Sequence, residues 1–189
     1  EFTKVAFGLC NAPSAFVTLM NAALGDIQYK YVLAYLDDLI IHSKTLEEHI
    51  VHLQEVFKRL EAAGLMLKPS KCRYLCPVLP FLGHIISAEG VRVCPDKVAA
   101  IANLEPPENV KLVRGFIGMC SYYRKFIPNM AEIAKPLVRL TKKSVKFEWN
   151  EECQDAFNML KQKLATAPVL AFPNPEHRFV LYTDASAHS

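Results

Sequence analysis

Two adjacent aspartates, Asp37 and Asp38, lie between two short apolar segments at residues 31–36 and 39–41. Carboxylate oxygens are hard ligands of the kind that Mg²⁺ prefers. Two such ions about 4 Å apart could activate a hydroxyl nucleophile and stabilise a departing pyrophosphate in an in-line displacement. This is the chemistry of nucleotide polymerisation, although two carboxylates do not complete a two-metal site. Aspartate is also common in turns for conformational reasons, so a purely structural turn is the alternative.

The elements around the two acids indicate how they would be positioned. Successive side chains of a strand point to opposite faces, so two adjacent aspartates reach one site only where the backbone turns. Two apolar segments joined by Asp37 and Asp38 predict a β-hairpin that carries the acids at its tip. The flanks are almost wholly apolar, which predicts that the hairpin is buried and that its acids need cations or donors.

A basic segment lies in the second half of the chain. The whole chain carries a net charge of +3, but residues 111–146 contain nine Lys or Arg and a single acid, Glu132. The segment therefore carries +8 and the remainder −5, which is the electrostatic pattern of a nucleic-acid contact. A solvated basic face is the alternative explanation.

Bulk properties limit the class of protein. The chain has 189 residues, 51% of them hydrophobic, which fits one large or two small domains. No apolar stretch approaches the roughly 20 residues of a bilayer-spanning helix, so no membrane partner is expected. The six cysteines show no disulfide framework and no signal peptide is evident, which predicts reduced thiols in an intracellular, non-secreted protein.

Helix signals recur along the chain. Asn11, Ala12 and Pro13 predict a helix start and Gly25 its end, and a capping box of Thr45 and Glu48 opens a second helix that ends at Gly64. Further helices are predicted over Asp96–Leu104, Val110–Tyr123, Met130–Leu140 and Glu151–Ala165. Short apolar segments predict strands at Leu65–Leu67, Lys71–Cys76, Leu79–Ser87 and Phe179–Tyr182.

An ordered set of motifs resembles the reverse transcriptases of gypsy-type LTR retrotransposons. The resemblance covers nearly the whole chain and is far more specific than a bare Tyr-x-Asp-Asp. Its motifs are Phe7-Gly8-Leu9-Cys10-Asn11-Ala12-Pro13-Ser14-Ala15-Phe16, Tyr35-Leu36-Asp37-Asp38, Phe81-Leu82-Gly83-His84, Tyr122-Tyr123-Arg124-Lys125-Phe126-Ile127-Pro128, Cys153-Gln154-Asp155-Ala156-Phe157, Ala167-Pro168-Val169-Leu170 and Thr183-Asp184-Ala185-Ser186.

The resemblance implies specific roles in the polymerase site. Asp37 and Asp38 would be catalytic metal ligands for two Mg²⁺ ions, with Mn²⁺ as an alternative. Residues that would contact the incoming nucleotide or the template are Phe7, Gly8, Asn11, Pro13 and Tyr35. The family's third carboxylate belongs to a strand upstream of this segment, so the isolated chain is expected to be inactive.

The resemblance also implies contacts along the nucleic acid. Phe81, Leu82, Gly83 and His84 would form the primer grip, a hairpin that holds the primer backbone. The side chains that would neutralise phosphates are Lys111, Arg114, Arg124, Lys125 and Arg139. Of Tyr122, Tyr123 and Phe126, at least two are expected in the core because they follow an apolar helical pattern. Asp184 would be the first metal ligand of an incomplete ribonuclease H site.

The implied fold is α+β, with a partial right-hand polymerase palm built on antiparallel hairpins. Residues 1–92 would be palm, residues 93–146 a helical thumb, and residues 147–189 the connection and the beginning of a ribonuclease H-like α/β domain. The implied function is that of an RNA-directed DNA polymerase fragment within a multifunctional Pol polyprotein. Its partners would be a primed RNA or DNA template, deoxynucleoside triphosphates and other parts of the polyprotein, in a cytoplasmic particle or the nucleus. A non-catalytic nucleic-acid-binding or interaction module is the alternative.

Overall fold

The computed structural model describes residues 5–6, 8–174, 176–181 and 183, and the chain folds as two units, Glu1–Tyr74 and Leu75–Ser189. The first unit contains α1 (Ala12–Leu24), β1 (Val32–Tyr35), β2 (Asp38–Ile41) and α2 (Leu46–Ala62). The second unit contains β3 (Val78–Phe81), β4 (His84–Ser87), β5 (Gly90–Val93), α3 (Pro95–Ala102), α4 (Val110–Tyr122), α5 (Met130–Leu140) and α6 (Glu151–Ala165).

The predicted first helix is confirmed. It starts directly after Asn11 with Pro13 in its first turn, and it ends at Gly25, which has a φ of 48°. The side chain of Asn11 makes no capping hydrogen bond. The fixed φ of proline, already suited to a first helical turn, therefore contributes more to this start than side-chain capping does.

The hairpin of β1 and β2 packs against both helices of the first unit. Val32 pairs with Ile41 and Ala34 with Leu39, so these four side chains share one face of the two-stranded sheet. That face belongs to a core with residues of α1 and α2, which are Met20, Leu24, Val56 and Leu60. Burial of this apolar face therefore sets the register of the hairpin.

Polar contacts fix α2 within the same unit. Thr45 accepts a hydrogen bond from the amide of Glu48, as the capping-box pattern predicts. Near the other end of α2, Arg59 donates to the carbonyl of Leu24 at 2.8 Å and to Asp26 at 2.9 Å. Arg59 therefore ties the last part of α2 to the end of α1.

The second unit combines a meander with four helices. Its three strands form an antiparallel sheet in the order β3, β4, β5. Val93 of β5 is buried in one core with side chains from every helix of the unit. Fully buried members of this core include Val113, Phe126, Leu137, Phe157 and Leu160. The predicted bounds of α5 and α6 are confirmed, and those of α3 and α4 differ from the prediction by one or two residues.

Three predicted strands are wrong. Leu65–Leu67 has no regular structure, and within Lys71–Cys76 the chain leaves a short 3₁₀ turn, Pro69–Lys71, without entering a strand. Residues 179–181 are also irregular and exposed, while Tyr182 lies outside the described residues. A strand is stable only when a neighbouring backbone pairs with it in a sheet, and neither sheet in the described part of the chain includes these segments.

Two sequence expectations concern the chain as a whole. None of the described helices is both long enough and apolar enough to cross a membrane. The six cysteines, all within the described ranges, form no disulfide.

The boundary between the two structural units falls between Tyr74 and Leu75 along the chain. The predicted functional boundaries after residues 92 and 146 stay predictions.

Candidate polymerase and nucleic-acid site

The two aspartates occupy different positions at the tip of the first hairpin. Leu36 and Asp37 form its two-residue turn, and Asp38 is the first residue of β2, paired with Tyr35. Leu36 has a φ of 52°, a left-handed conformation that is unfavourable for a leucine. The predicted hairpin is therefore confirmed, and the tight turn brings two consecutive carboxylates to one end of the sheet.

The tip of the hairpin, which carries the two aspartates, is exposed to solvent. Tyr35 and Asp38 are cross-strand neighbours on the face opposite the one that packs on α1 and α2. Tyr35 is 53% exposed, and both aspartates are exposed. The expectation of a buried hairpin is therefore wrong at its tip, whereas Ile40, further along the same face, is 8% exposed and therefore buried.

The two carboxylates are not neutralised by an ion pair in the described part of the chain. Neither Asp37 nor Asp38 makes an ion pair or a hydrogen bond to another side chain among the described residues. Two adjacent, accessible, unpaired oxygen donors fit a hard divalent cation. The described residues bring no third acid, histidine or cysteine to them, and a complete two-metal site needs more ligands than these two carboxylates.

The predicted nucleotide-contacting residues belong to the same unit as the aspartates. Gly8 has a φ of 87° and no atom near the position of a Cβ, so its backbone is accessible to a ligand. Asn11 and Pro13 are exposed at the start of α1, which shares a core with β1. Phe7 lies outside the described residues. No hydrogen bond links Asn11 or Tyr35 to either aspartate within the part of the chain that the structure describes.

The predicted primer grip is the two-residue turn between β3 and β4. Phe81 pairs with His84, and the turn residues Leu82 and Gly83 have φ values of 46° and 71°. Two consecutive positive φ values are typical of a type I′ hairpin turn. Residues 81–84 therefore form a hairpin, as the resemblance implies.

His84 is enclosed by three aromatic rings from the last residue of α4 and the four residues that follow it. Its ring centroid lies 5.4 Å from those of Tyr122 and Tyr123 and 5.8 Å from that of Phe126. Nδ1 donates to the carbonyl of Leu82 at 2.8 Å, while Nε2 is buried without a hydrogen-bond partner among the described residues. Burial lowers the pKa of His84, with a further contribution from the charge of Lys125. The imidazole is therefore neutral, with its proton on Nδ1.

The aromatic residues of the Tyr-Tyr motif divide between core and surface. Tyr123 and Phe126 are 4% and 1% exposed, whereas Tyr122 is 55% exposed. The expectation that at least two of the three aromatics pack in the core is confirmed. Burial raises the pKa of Tyr123, so its hydroxyl stays protonated and acts as a donor.

Basic side chains surround a groove between α4 and α5. The groove has a volume of about 490 Å³ and an apolar floor that includes Ile117, Met130 and Val138. Its cations include Arg124 and Arg139, both predicted, together with two lysines that the sequence reasoning did not single out, Lys135 and Lys142. Positions 135, 139 and 142 are separated by four and three residues, the spacing of one helix face, which could have indicated them. We call this feature the basic groove.

The other predicted phosphate ligands lie outside the basic groove. Arg114 donates to the carbonyl of Thr141 at 2.9 Å, so part of its guanidinium is committed within the protein. The ammonium of Lys125 lies 5.1 Å from the ring centroid of Phe126. Lys111 is exposed near the start of α4. The predicted ribonuclease H metal ligand, Asp184, lies outside the described residues.

Two family models match this chain. Residues 1–86 match the family described as reverse transcriptase (RNA-dependent DNA polymerase), and residues 149–189 match the RNase H-like domain found in reverse transcriptase. These matches, with the hairpin that carries Asp37 and Asp38 and with the basic groove, place the protein in the class of reverse transcriptases. This is a class of metal-dependent polymerases.

Sequence relatives identify the branch of that class. The Pol polyprotein of transposon 297 from Drosophila melanogaster is 43% identical over 187 residues, which are 98% of this chain and 18% of that protein. The Tf2-3 transposon polyprotein of Schizosaccharomyces pombe is 33% identical over 98% of this chain and 14% of its own length. The chain belongs to the reverse transcriptases of retrotransposon Pol polyproteins, and it spans less than a fifth of these relatives.

Solved structures agree with this assignment. The foamy viral protease-reverse transcriptase in complex with double-stranded DNA is similar with a TM-score of 0.81 and 28% identity, over 90% of this chain and 30% of that one. The foamy viral protease-reverse transcriptase in complex with an RNA/DNA hybrid has a TM-score of 0.77 and 27% sequence identity. The match covers 90% of this chain and 23% of that one. The predicted α+β fold, a partial palm and thumb with the start of a ribonuclease H-like domain, is confirmed.

Proposed function

We propose that this chain forms part of the active site and of the duplex-binding surface of an RNA-directed DNA polymerase, which transfers deoxynucleotides to a primer end. The observation that carries the proposal is the pair of accessible, unpaired carboxylates at the Leu36–Asp37 turn, in a chain of the reverse transcriptase family. Deoxynucleoside triphosphates would be the substrates, and other parts of the Pol polyprotein would complete the site.

Asp37 and Asp38 would hold the catalytic ions, which we propose to be two Mg²⁺. When bound, such ions activate the primer hydroxyl and stabilise the pyrophosphate that departs. The contribution of the chain itself is to hold both oxygen donors at the end of a packed hairpin, where Tyr35 flanks Asp38 across the strand pair. The family-implied contacts of Gly8, Asn11 and Pro13 with the nucleotide or template are part of the same proposal.

The basic groove would bind the backbone of the primed template. Lys and Arg neutralise phosphates and release counterions, which makes such binding sensitive to salt. The groove is lined by four basic side chains, of which Lys135 forms an ion pair with Glu132, and by apolar side chains, a combination suited to phosphates beside sugars. The similar foamy viral structures contain double-stranded DNA or an RNA/DNA hybrid, which supports a duplex as the ligand.

Primer extension by the full-length polymerase that contains this chain tests the proposal. Asp37→Asn and Asp38→Asn should each lower extension at least a hundredfold, because loss of a metal ligand removes several kcal/mol of charge stabilisation, on the order of 10²-fold or more in rate. Asp155→Asn, at an exposed acid of α6, is the matched control and should leave the rate unchanged.

Two results would contradict the proposal. One is an Asp37→Asn polymerase that extends primers at the wild-type rate. The other is a wild-type polymerase that binds primed template yet never extends it, which would indicate the non-catalytic binding module instead. The isolated 189-residue chain should show no extension, because its described residues bring two carboxylates and no third potential ligand to the site.

A further inference from the structure

The turn between β3 and β4 holds an unfavourable backbone conformation. Leu82 has a φ of 46°, in the left-handed region that costs a residue with a Cβ roughly 1–2 kcal/mol. Gly83, with a φ of 71°, adopts the same region at little cost. A type I′ turn favours Asn-Gly at these two positions, so contacts from outside the hairpin would offset the unfavourable conformation of Leu82.

That support comes from two consecutive tyrosines, forty residues further along the chain. The hydroxyl of Tyr122 donates to the carbonyl of Leu82 at 2.6 Å, and the hydroxyl of Tyr123 donates to the carbonyl of Gly83 at 3.0 Å. Each turn residue therefore has its carbonyl held by one hydroxyl. The amide of Cys94 also donates to Gly83, and Nδ1 of His84 also donates to Leu82, so both carbonyls accept two hydrogen bonds.

The side chains of the two tyrosines pack closely against the turn. A Cβ on Gly83 would lie 2.7 Å from the Tyr123 hydroxyl, so the glycine permits the close approach of that side chain. The rings of Tyr122 and Tyr123 are perpendicular, with centroids 4.9 Å apart, and both contact His84. The positions of the two hydroxyls are therefore fixed by aromatic packing in which His84 of the hairpin takes part.

Core packing does not explain Tyr122. Its side chain is 55% exposed, so little of the ring is removed from water, and a partly exposed hydrogen bond adds little to global stability. Its hydroxyl nevertheless makes the shortest of the bonds to the turn. The arrangement is suited to fixing a local conformation.

We propose that Tyr122 and Tyr123 are positioning residues, which hold the Leu82–Gly83 turn in its left-handed conformation and thereby set where the primer end lies during nucleotide addition. This inference rests on the proposed function, since it takes residues 81–84 as the primer-contacting hairpin. The two tyrosines would act through the turn backbone. Loss of their hydroxyls should therefore affect alignment of the primer end more than affinity for the duplex.

The test uses the full-length polymerase with Tyr122→Phe, Tyr123→Phe and the double variant. Tyr29→Phe removes the same hydroxyl from a tyrosine that is 79% exposed, and it serves as the control. The single-nucleotide incorporation rate at saturating nucleotide should fall roughly three- to tenfold for each single variant, as expected for one hydrogen bond. The Kd for primed template should stay within the scatter of the control for all three variants, and the melting temperature should do so for Tyr122→Phe, whose ring is 55% exposed.

A rescue variant separates conformation from other causes. Leu82→Asn creates the Asn-Gly pair that favours a type I′ turn, and it should restore most of the incorporation rate in the double variant. An incorporation rate that is unchanged in the double variant would overturn the inference. A fall in this rate that Leu82→Asn does not reverse would also overturn it, as would a fall that is accompanied by weaker duplex binding and a lower melting temperature. Asp37→Asn is measured in the same assay to test the proposed function separately. Polymerase activity that does not depend on Asp37 would overturn the proposed role of Asp37 without bearing on the role of the two tyrosines.

Discussion

Gly90 lies directly against the backbone of Leu170: a Cβ at position 90 would be 2.2 Å from the carbonyl oxygen of Leu170. The two segments form an antiparallel bridge, in which Val91 and Leu170 exchange two backbone hydrogen bonds of 2.8 Å. The segment after α6 thereby joins the edge of β5. Only a residue without a side chain allows this approach, and the φ of 134° at Gly90 also favours glycine.

Replacement of Gly90 by alanine should separate the two segments. The methyl group would meet a backbone oxygen that cannot rotate away, and we expect a loss of roughly 2–4 kcal/mol in the free energy of unfolding. Urea unfolding measures this change. Gly118→Ala is the control, because Gly118 lies in α4 with open space around its Cβ position and should gain about 0.5–1 kcal/mol. Equal effects at the two positions would contradict the close approach at Gly90.

Neutralisation of the basic groove should weaken duplex binding in a salt-dependent manner. Each phosphate contact contributes about 0.9 to the slope of log K against log salt concentration, so Arg124→Gln with Arg139→Gln should reduce that slope by about 2. Fluorescence anisotropy with a labelled DNA duplex between low and moderate salt gives the slope. Lys58→Gln with Lys163→Gln removes two exposed charges elsewhere and should leave it unchanged. A slope that the groove variants do not alter would rule out the groove as the phosphate-binding surface.

Protonation of His84 should destabilise the chain at mildly acidic pH. Burial and the nearby Lys125 lower its pKa in the folded state below the usual value of 6.5, so below that pH the unfolded chain binds the proton first. The contribution of neutral His84 to the free energy of unfolding should thus be fully present above pH 6.5. It should be lost as the pH falls from 6.5 through the folded-state pKa of His84.

His84→Asn keeps a donor near Nδ1 but does not titrate, so unfolding free energies at pH 7.5 and 5.5 should differ less in this variant than in the wild type. His42, whose pKa burial also lowers, contributes with the same sign, and the comparison with the variant removes its share. A pH dependence that His84→Asn leaves unchanged would show that His84 does not titrate in this way.

Local signals account for the elements that were predicted well. The Thr45 cap, the Pro13 start and the Gly25 stop act within a few residues of the helix they define, so their effect can be read without knowledge of the rest of the fold. The bounds of α5 and α6 follow from apolar spacing in the same way, with Pro128 in the link before α5. By contrast, Leu65–Leu67 has the composition of a strand but belongs to neither sheet in the described part of the chain, and composition alone does not reveal whether a segment has a partner strand.

The site shows the same division. By itself, the sequence determined the place of the two carboxylates, the basic segment and the reverse transcriptase family, because these depend on residue types and their order. The tertiary structure decided which face of the hairpin leaves Tyr35 and Asp38 exposed and which cations line the groove. It also decided that Tyr122 and Tyr123 hold the turn at Leu82 and Gly83. These contacts join residues far apart along the chain, and only the packing of helices and strands around a common core brings their atoms within hydrogen-bonding distance.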